Sequence, residues 1–96
     1  MPTFVLIGTD GPSARERRPA VRPEHLAHWQ PLDAHGHVRF GGPLLGADGA
    51  PLGSVLVFEA DDLAAARAHA ERDPYVTGGV FARFDVHETR EVFPAR

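Results

Sequence analysis

Ser54-Val55-Leu56-Val57-Phe58-Glu59 carries apolar side chains at four consecutive positions and is followed, after Ala60, by Asp61-Asp62. A short unbroken apolar run predicts a strand covered on both faces, and the paired aspartates predict the cap of a helix directly after it. Only one other run has the same character: Phe4-Val5-Leu6-Ile7, closed by Gly8 and the turn residues Thr9-Asp10-Gly11-Pro12. It predicts a first strand from about Thr3 to Gly8. Upstream of Ser54, Val38-Arg39-Phe40 alternates as a strand, Gly41-Gly42-Pro43 is read as a bend, and Leu44-Leu45 leads into the turn Gly46-Ala47-Asp48-Gly49-Ala50-Pro51. The two segments therefore form a hairpin. Downstream, Leu63, Ala66 and Ala70 make a narrow helical stripe that stops where Asp73 precedes Pro74. A last strand from Val80 to His87 places Val80, Ala82, Phe84 and Val86 on one face and Phe81, Arg83, Asp85 and His87 on the other. Arg90 to Phe93 is read as a short edge segment.

A helix remains to be placed between the first two strands. Ser13 to Arg18 is charged and ends at Pro19, which reads as an exposed loop. Arg22-Pro23-Glu24-His25-Leu26 reads as the helix start, with Pro23 in the first turn and Glu24 at the positive end of the dipole. Leu26, Trp29 and Leu32 recur at helical spacing, Gly36 supplies the stop, and Pro31 predicts a kink or split. The order strand, helix, strand, strand, helix, strand gives an α+β fold of ferredoxin-like βαββαβ type with an antiparallel sheet and the two apolar strands at its centre. Two short helices cover one sheet face only. The other face calls for a second copy of the chain, a homodimer packed sheet to sheet.

Residues 1–96 form a single domain, since 96 residues supply material for one core, and alanine makes up about a third of the 43% hydrophobic fraction. A net charge of -3 gives no cationic field for nucleic acid or for an anionic membrane surface. Without cysteine there are no disulfides, thiolate nucleophiles or sulfur-bound zinc, and with all ten basic residues arginine there is no Schiff-base lysine. The N-terminal apolar run of four residues is far shorter than a signal peptide core or a membrane span, and a cytoplasmic protein is expected.

Among six histidines, His25 and His28 share a helix face at i, i+3, but a third ligand at metal-site spacing is lacking, so no metal is expected. His69 and His87 are read as lying on solvated faces. His25, near a helix start, suits a neutral general base; the same position also suits a histidine bonded to a loop carbonyl. Asp73 has two readings as well. A carboxylate in the last turn of a helix is electrostatically misplaced by about 0.3–1 kcal/mol, which points to a task beyond stability, yet Asp before Pro is also how a new helical turn is capped. Ser54 sits in no nucleophile elbow and is read as a hydrogen-bonding wall residue. Of the arginines Arg15, Arg17, Arg18 and Arg22, the last is the favoured anion contact.

Taken together, Arg22-Pro23-Glu24-His25-Leu26, Gly42-Pro43, Gly53-Ser54 and Asp73-Pro74-Tyr75 followed by Gly79-Val80-Phe81 resemble the YciI-like family along nearly the whole chain. The resemblance implies a dimeric α/β barrel and a pocket flanked by a His–Asp pair, His25 and Asp73. It also implies small-molecule chemistry without a cofactor, on a phenolic or enolisable substrate, of lyase, isomerase or dehydrochlorinase type. Arg22, Pro43, Ser54 and Tyr75 are then the substrate-binding candidates, for a ligand of anionic or aromatic character. The competing reading is a metabolite-binding or assembly module in which the His25–Asp73 pair is architecture.

Overall fold

The computed structural model describes residues 1–95. Its elements are β1 (Thr3–Asp10), α1 (Ala14–Ala34), β2 (Val38–Leu45), β3 (Pro51–Glu59), α2 (Leu63–Glu71), α3 (Pro74–Thr77) and β4 (Phe81–Thr89). The strands form one antiparallel sheet in the order β2-β3-β1-β4, which puts the two apolar runs at its centre. This is the ferredoxin-like α+β arrangement, with α3 added as a single turn after α2. Among the described residues no helix is long and apolar enough to cross a membrane.

One sheet face carries the core. Phe4, Leu6, Leu56, Phe58 and Val86 point toward the helices and meet Trp29 of α1 and Ala66 and Ala70 of α2. The two alanines are completely buried. Their small side chains let α2 lie close to the sheet, whereas Leu63, expected in the same stripe, is 45% exposed at the first turn. Asp62 caps this helix as expected, accepting from the Ala65 amide. On the opposite face Val5, Ile7, Val55 and Val57 are only partly covered, and Phe40, which pairs with Val57 across the ladder, is 57% exposed.

Four sequence expectations are corrected. The segment read as a loop, Ser13 to Arg18, is the beginning of α1, which starts eight residues before Arg22 and runs unbroken through Pro19, Pro23 and Pro31. Each proline costs one backbone bond, but Ala27, whose carbonyl loses the Pro31 partner, is exposed, and so are Arg15 and Pro19, so water can take the place of the missing N–H. The first turn is held from outside: Ala14 is buried against Tyr75, Val80 and Phe81, and Arg17 donates to the Gly78 carbonyl. Second, β4 does not keep strict alternation. Thr9 pairs with Arg83 but Asp10 with Phe81, so Ala82 is the extra residue of a bulge. The bulge turns Phe81 to the same side as Phe84, where it is buried against Tyr75 and over Gly8, a position at which a Cβ would strike the Phe81 ring. Third, β2 passes through Gly41-Gly42-Pro43 as strand, with its register shifts between Val38 and Phe40 and between Leu44 and Leu45; Pro43 is tolerated because β2 is an edge strand. Fourth, Arg90 to Phe93 adds no strand.

His69 is the remaining departure. Rather than lying on a solvated face, its ring packs edge-on to Trp29 at 4.5 Å and stacks on His28 at 4.0 Å, and its Nε2 is buried without a hydrogen-bond partner. His28 Nε2–H donates to the His69 carbonyl, 2.8 Å away, pinning α1 to α2. Burial first, then the nearby His28 and Arg72 charges, push the His69 pKa from 6.5 down to about 4. Because the unfolded chain takes up this proton at higher pH than the folded one, the contribution of His69 is complete above about pH 6.5 and is lost as pH falls toward 4. The melting temperature should therefore decline between pH 6.5 and 4.5, and His69→Leu should flatten that decline. Equal slopes for the two proteins would show that His69 is not the group responsible.

Candidate functional site

Asp73 closes α2 and opens α3. Its extended backbone, φ -61° and ψ 127°, places the carboxylate over the start of the new turn, where Oδ1 accepts from the Tyr75 amide at 2.8 Å. The capping reading is therefore correct, and so is the pairing: His25 Nδ1 lies 2.7 Å from the same Oδ1. Trp29 Nε1–H takes the other oxygen, Oδ2, at 2.9 Å. The carboxylate is completely buried. Burial alone would raise its pKa, but the hydrogen bond and charge of His25, the Tyr75 amide and the Trp29 indole outweigh it and hold Asp73 below the ordinary carboxylate value.

A carboxylate can only accept, so Nδ1 of His25 carries a hydrogen toward Asp73, and in the neutral ring Nε2 is left with its lone pair free. The ring cannot swing: Tyr75 lies face to face with it, centroids 3.7 Å apart and planes within 4°. Tyr75 is in turn held edge-on by Phe81 at 5.7 Å. The β4 bulge thus reaches the site, since it is what brings Phe81 under Tyr75.

Beside this pair, α1 and the β2–β3 hairpin enclose a cavity of about 690 Å³. Its wall includes Arg18, Arg22, His25, Pro43, Ser54 and Tyr75, so the structure brings the sequence candidates around one space. Asp73 stands behind His25 and does not line it. Pro43 faces Ser54 across the β2–β3 ladder. Tyr75, expected to contact substrate, has most of its surface taken up by His25 and Phe81, and burial raises its phenol pKa despite the nearby Arg18 and Arg22 charges.

Arg18 is the residue the sequence reading ranked too low. Its Nε and Nη2 grip both Asp10 oxygens at 2.8 Å, and Nη2 also reaches the Gly53 carbonyl at 2.8 Å and Ser54 Oγ at 3.0 Å. Its guanidinium carbon lies 5.1 Å from the centre of the Tyr75 ring. The Asp10 hydrogen bonds raise its pKa against the effect of burial. Arg18 therefore locks α1 to the ends of β1 and β3 and fixes Ser54 as an acceptor, leaving the Ser54 O–H for the cavity. Arg22, one turn further along α1, makes no hydrogen bond or ion pair within the described residues and is exposed at the cavity wall. The signal for Arg18 was in the spacing: Arg18, Arg22, His25 and Trp29 fall at i, i+4, i+7 and i+11, one helical face, once α1 is begun early enough. Among the described residues no group of three histidine, aspartate or glutamate side chains is disposed to hold a metal ion.

The YCII-related domain model matches residues 2–90. Protein YciI of Escherichia coli O6:H1 is 36% identical over 96 residues, covering 94% of this chain and 98% of that protein. An uncharacterized protein of Haemophilus influenzae is 33% identical over the same shares. Among solved structures, the 5-chloro-2-hydroxyhydroquinone dehydrochlorinase TftG of Burkholderia phenoliruptrix, in complex with 2,5-dihydroxybenzoquinone, superposes with a TM-score of 0.82 at 31% identity, covering 93% of this chain and 94% of that one. An antibiotic biosynthesis monooxygenase shares the fold alone, with a TM-score of 0.58 at 15% identity over 96% of this chain and 99% of its own. Matched by the domain model from residue 2 to residue 90, and by relatives more than 30% identical along nearly their full length, this chain belongs to the YCII-related domain family.

Proposed function

We propose that the protein is an acid/base enzyme acting, without a cofactor, on a small phenolic or enolisable substrate, with His25 and Asp73 as its catalytic pair. The observation that carries this reading is the bare Nε2 of His25: its other nitrogen is committed to a buried carboxylate, its plane is fixed by Tyr75, and it stands in the wall of the cavity. That is the arrangement a general base requires. In the proposed step Nε2 takes the proton of a substrate O–H, and Asp73 stabilises the imidazolium so formed. The electron pair released moves into the conjugated system. It is discharged either by return of the proton to carbon, an isomerisation, or by departure of a leaving group with its bonding pair, an elimination. Both are redox-neutral and need no co-reactant.

Arg22 supplies positive charge for the enolate or phenolate, and the Ser54 O–H and the wall at Pro43 orient it. The likeness to a dehydrochlorinase bound to a dihydroxybenzoquinone supports the same substrate class, because such a quinone is a vinylogous acid and is anionic near neutrality. The proposed assembly is a homodimer, in which a second copy covers Val5, Val55, Val57 and Phe40 on the open sheet face.

Two measurements bear on these proposals. 2,5-Dihydroxybenzoquinone and related hydroxyquinones should raise the melting temperature. A hydroxyhydroquinone carrying a leaving group, which loses HX to give a hydroxyquinone, should be turned over about 100-fold or more slowly by His25→Gln than by the unaltered protein. Equal turnover by both proteins, or no stabilisation by any phenolic or enolic acid, would leave the pair as architecture. Light scattering at micromolar concentration should give twice the chain mass of 10.4 kDa; the monomer mass would contradict the dimer.

A further inference from the structure

The indole of Trp29 makes the third hydrogen bond to the Asp73 carboxylate and, among the described residues, the one that reaches Oδ2. We propose that Trp29 is a positioning residue for the His25–Asp73 pair: its N–H, seated on Oδ2, keeps that oxygen an unprotonated acceptor, favours the ionised carboxylate and aims the other oxygen at His25.

Around Asp73 stand three N–H groups: His25 Nδ1 and the Tyr75 amide on Oδ1, and Trp29 Nε1 on Oδ2. Two of these are donors in every protonation state, the Trp29 indole and the Tyr75 amide. A proton on Oδ2 would face the indole N–H, and an amide would set its NH2 group against the indole N–H in one orientation and the Tyr75 N–H in the other. Without the indole, Oδ2 would be a fully buried carboxylate oxygen with nothing to accept from, and the group could rotate or take up a proton.

The indole is itself held in place. Its ring packs edge-on to Phe58 at 4.8 Å and to His69 at 4.5 Å, so the donor is aimed by the core beneath it. The titratable groups that interact with Asp73 are His25 from α1, with His28 beyond Trp29; His69 from α2, itself beside Arg72 at the end of that helix; and Tyr75 from α3. On the β4 side the packing against α3 is through Phe81, which does not titrate. His69 is neutral at neutrality but takes up its proton near pH 4, so it is charged while Asp73 titrates, in the unaltered protein and in the Trp29 variant alike. Trp29 also stands one helical turn beyond His25 at i+4, which makes α1 the source of both donors to the two carboxylate oxygens.

The inference rests on the catalytic reading for its consequence in turnover, but its test does not. In Trp29→Phe, the pH midpoint of the Asp73 carboxyl carbon, followed by NMR, should rise by about one unit, because a hydrogen bond that favours the ionised form is gone while the ring volume stays. An unmoved midpoint would overturn the proposal. A double-mutant cycle gives the second arm. Asp73→Asn sets an NH2 group against an N–H in the unaltered protein and should lower the melting temperature clearly more there than in the Trp29→Phe background. Strictly additive losses would also overturn it. Should Trp29→Phe fail to fold, the unaltered protein serves, since Trp29 is its single tryptophan. Its indole N–H resonance should shift with the midpoint of the Asp73 carboxyl, and a resonance indifferent to that titration would refute the lock. A structural tryptophan would move melting temperature alone, and failure of the enzyme reading would show in turnover with these results intact.

Discussion

The buried carboxylate of Asp73 is the constraint on which the rest of the structure depends. A carboxylate taken wholly out of water is tolerated only when its lone pairs are occupied, and here three N–H groups, two from α1 and one from the turn α3, occupy them. Leaving one such partner unsatisfied costs about 1–3 kcal/mol in a buried site. That sets where α1 crosses the α2–α3 junction, since Trp29 and His25 must both reach the same group. It also starts α3 and delivers Tyr75 to the face of the His25 ring. Fold and site are thus not separable here: the group that would tune the base is the group that caps α3.

A second fixed point lies beside Tyr75 in the cavity wall. Arg18 pairs with Asp10 in a fork of two hydrogen bonds and reaches across to Gly53 and Ser54, joining α1 to the ends of both central strands. Between these anchors, the face of α1 bearing Arg22 and His25 is held opposite the hairpin that carries Pro43 and Ser54. Of the two arginines on that face, the internally paired one shapes the wall and the other, Arg22, stands exposed at it without an ion pair among the described residues. Ser54, tied as an acceptor to Arg18, keeps its hydrogen for the cavity. The family's fold is shared with proteins of other chemistry, so it is this placement of charge, and not the fold, that argues for a reaction class.

Much of this was legible in the sequence because the central strands announce themselves. Phe4–Ile7 and Val55–Phe58 are apolar at consecutive positions, which only a strand covered on both sides needs, and they do occupy the middle of the sheet. Local rules failed wherever a distant contact overrode them. The charged, proline-flanked stretch before Arg22 looks like a loop by propensity, yet Ala14, Arg17 and Arg18 are all held by groups far away in the chain. Losing that turn broke the phase that puts Arg18 on the His25 face. The bulge at Ala82 is likewise invisible to a period-two count, and it reversed the expected side of Phe81. His69 carries no local mark of burial; its place follows from Trp29 and Phe58 closing over it. The capping role of Asp73 was legible locally, from Asp before Pro, whereas its pairing with His25, 48 residues away in the chain, was implied only by the family resemblance.

The measurement that bears most directly on this account is the tautomer of His25, read from the long-range nitrogen–proton couplings of its ring in the free protein. The account requires the neutral ring to carry its hydrogen on Nδ1, facing Asp73, with Nε2 bare and open to the cavity. A ring protonated on Nε2 would mean that the nitrogen facing the cavity is a donor, and His25 could not then be the base.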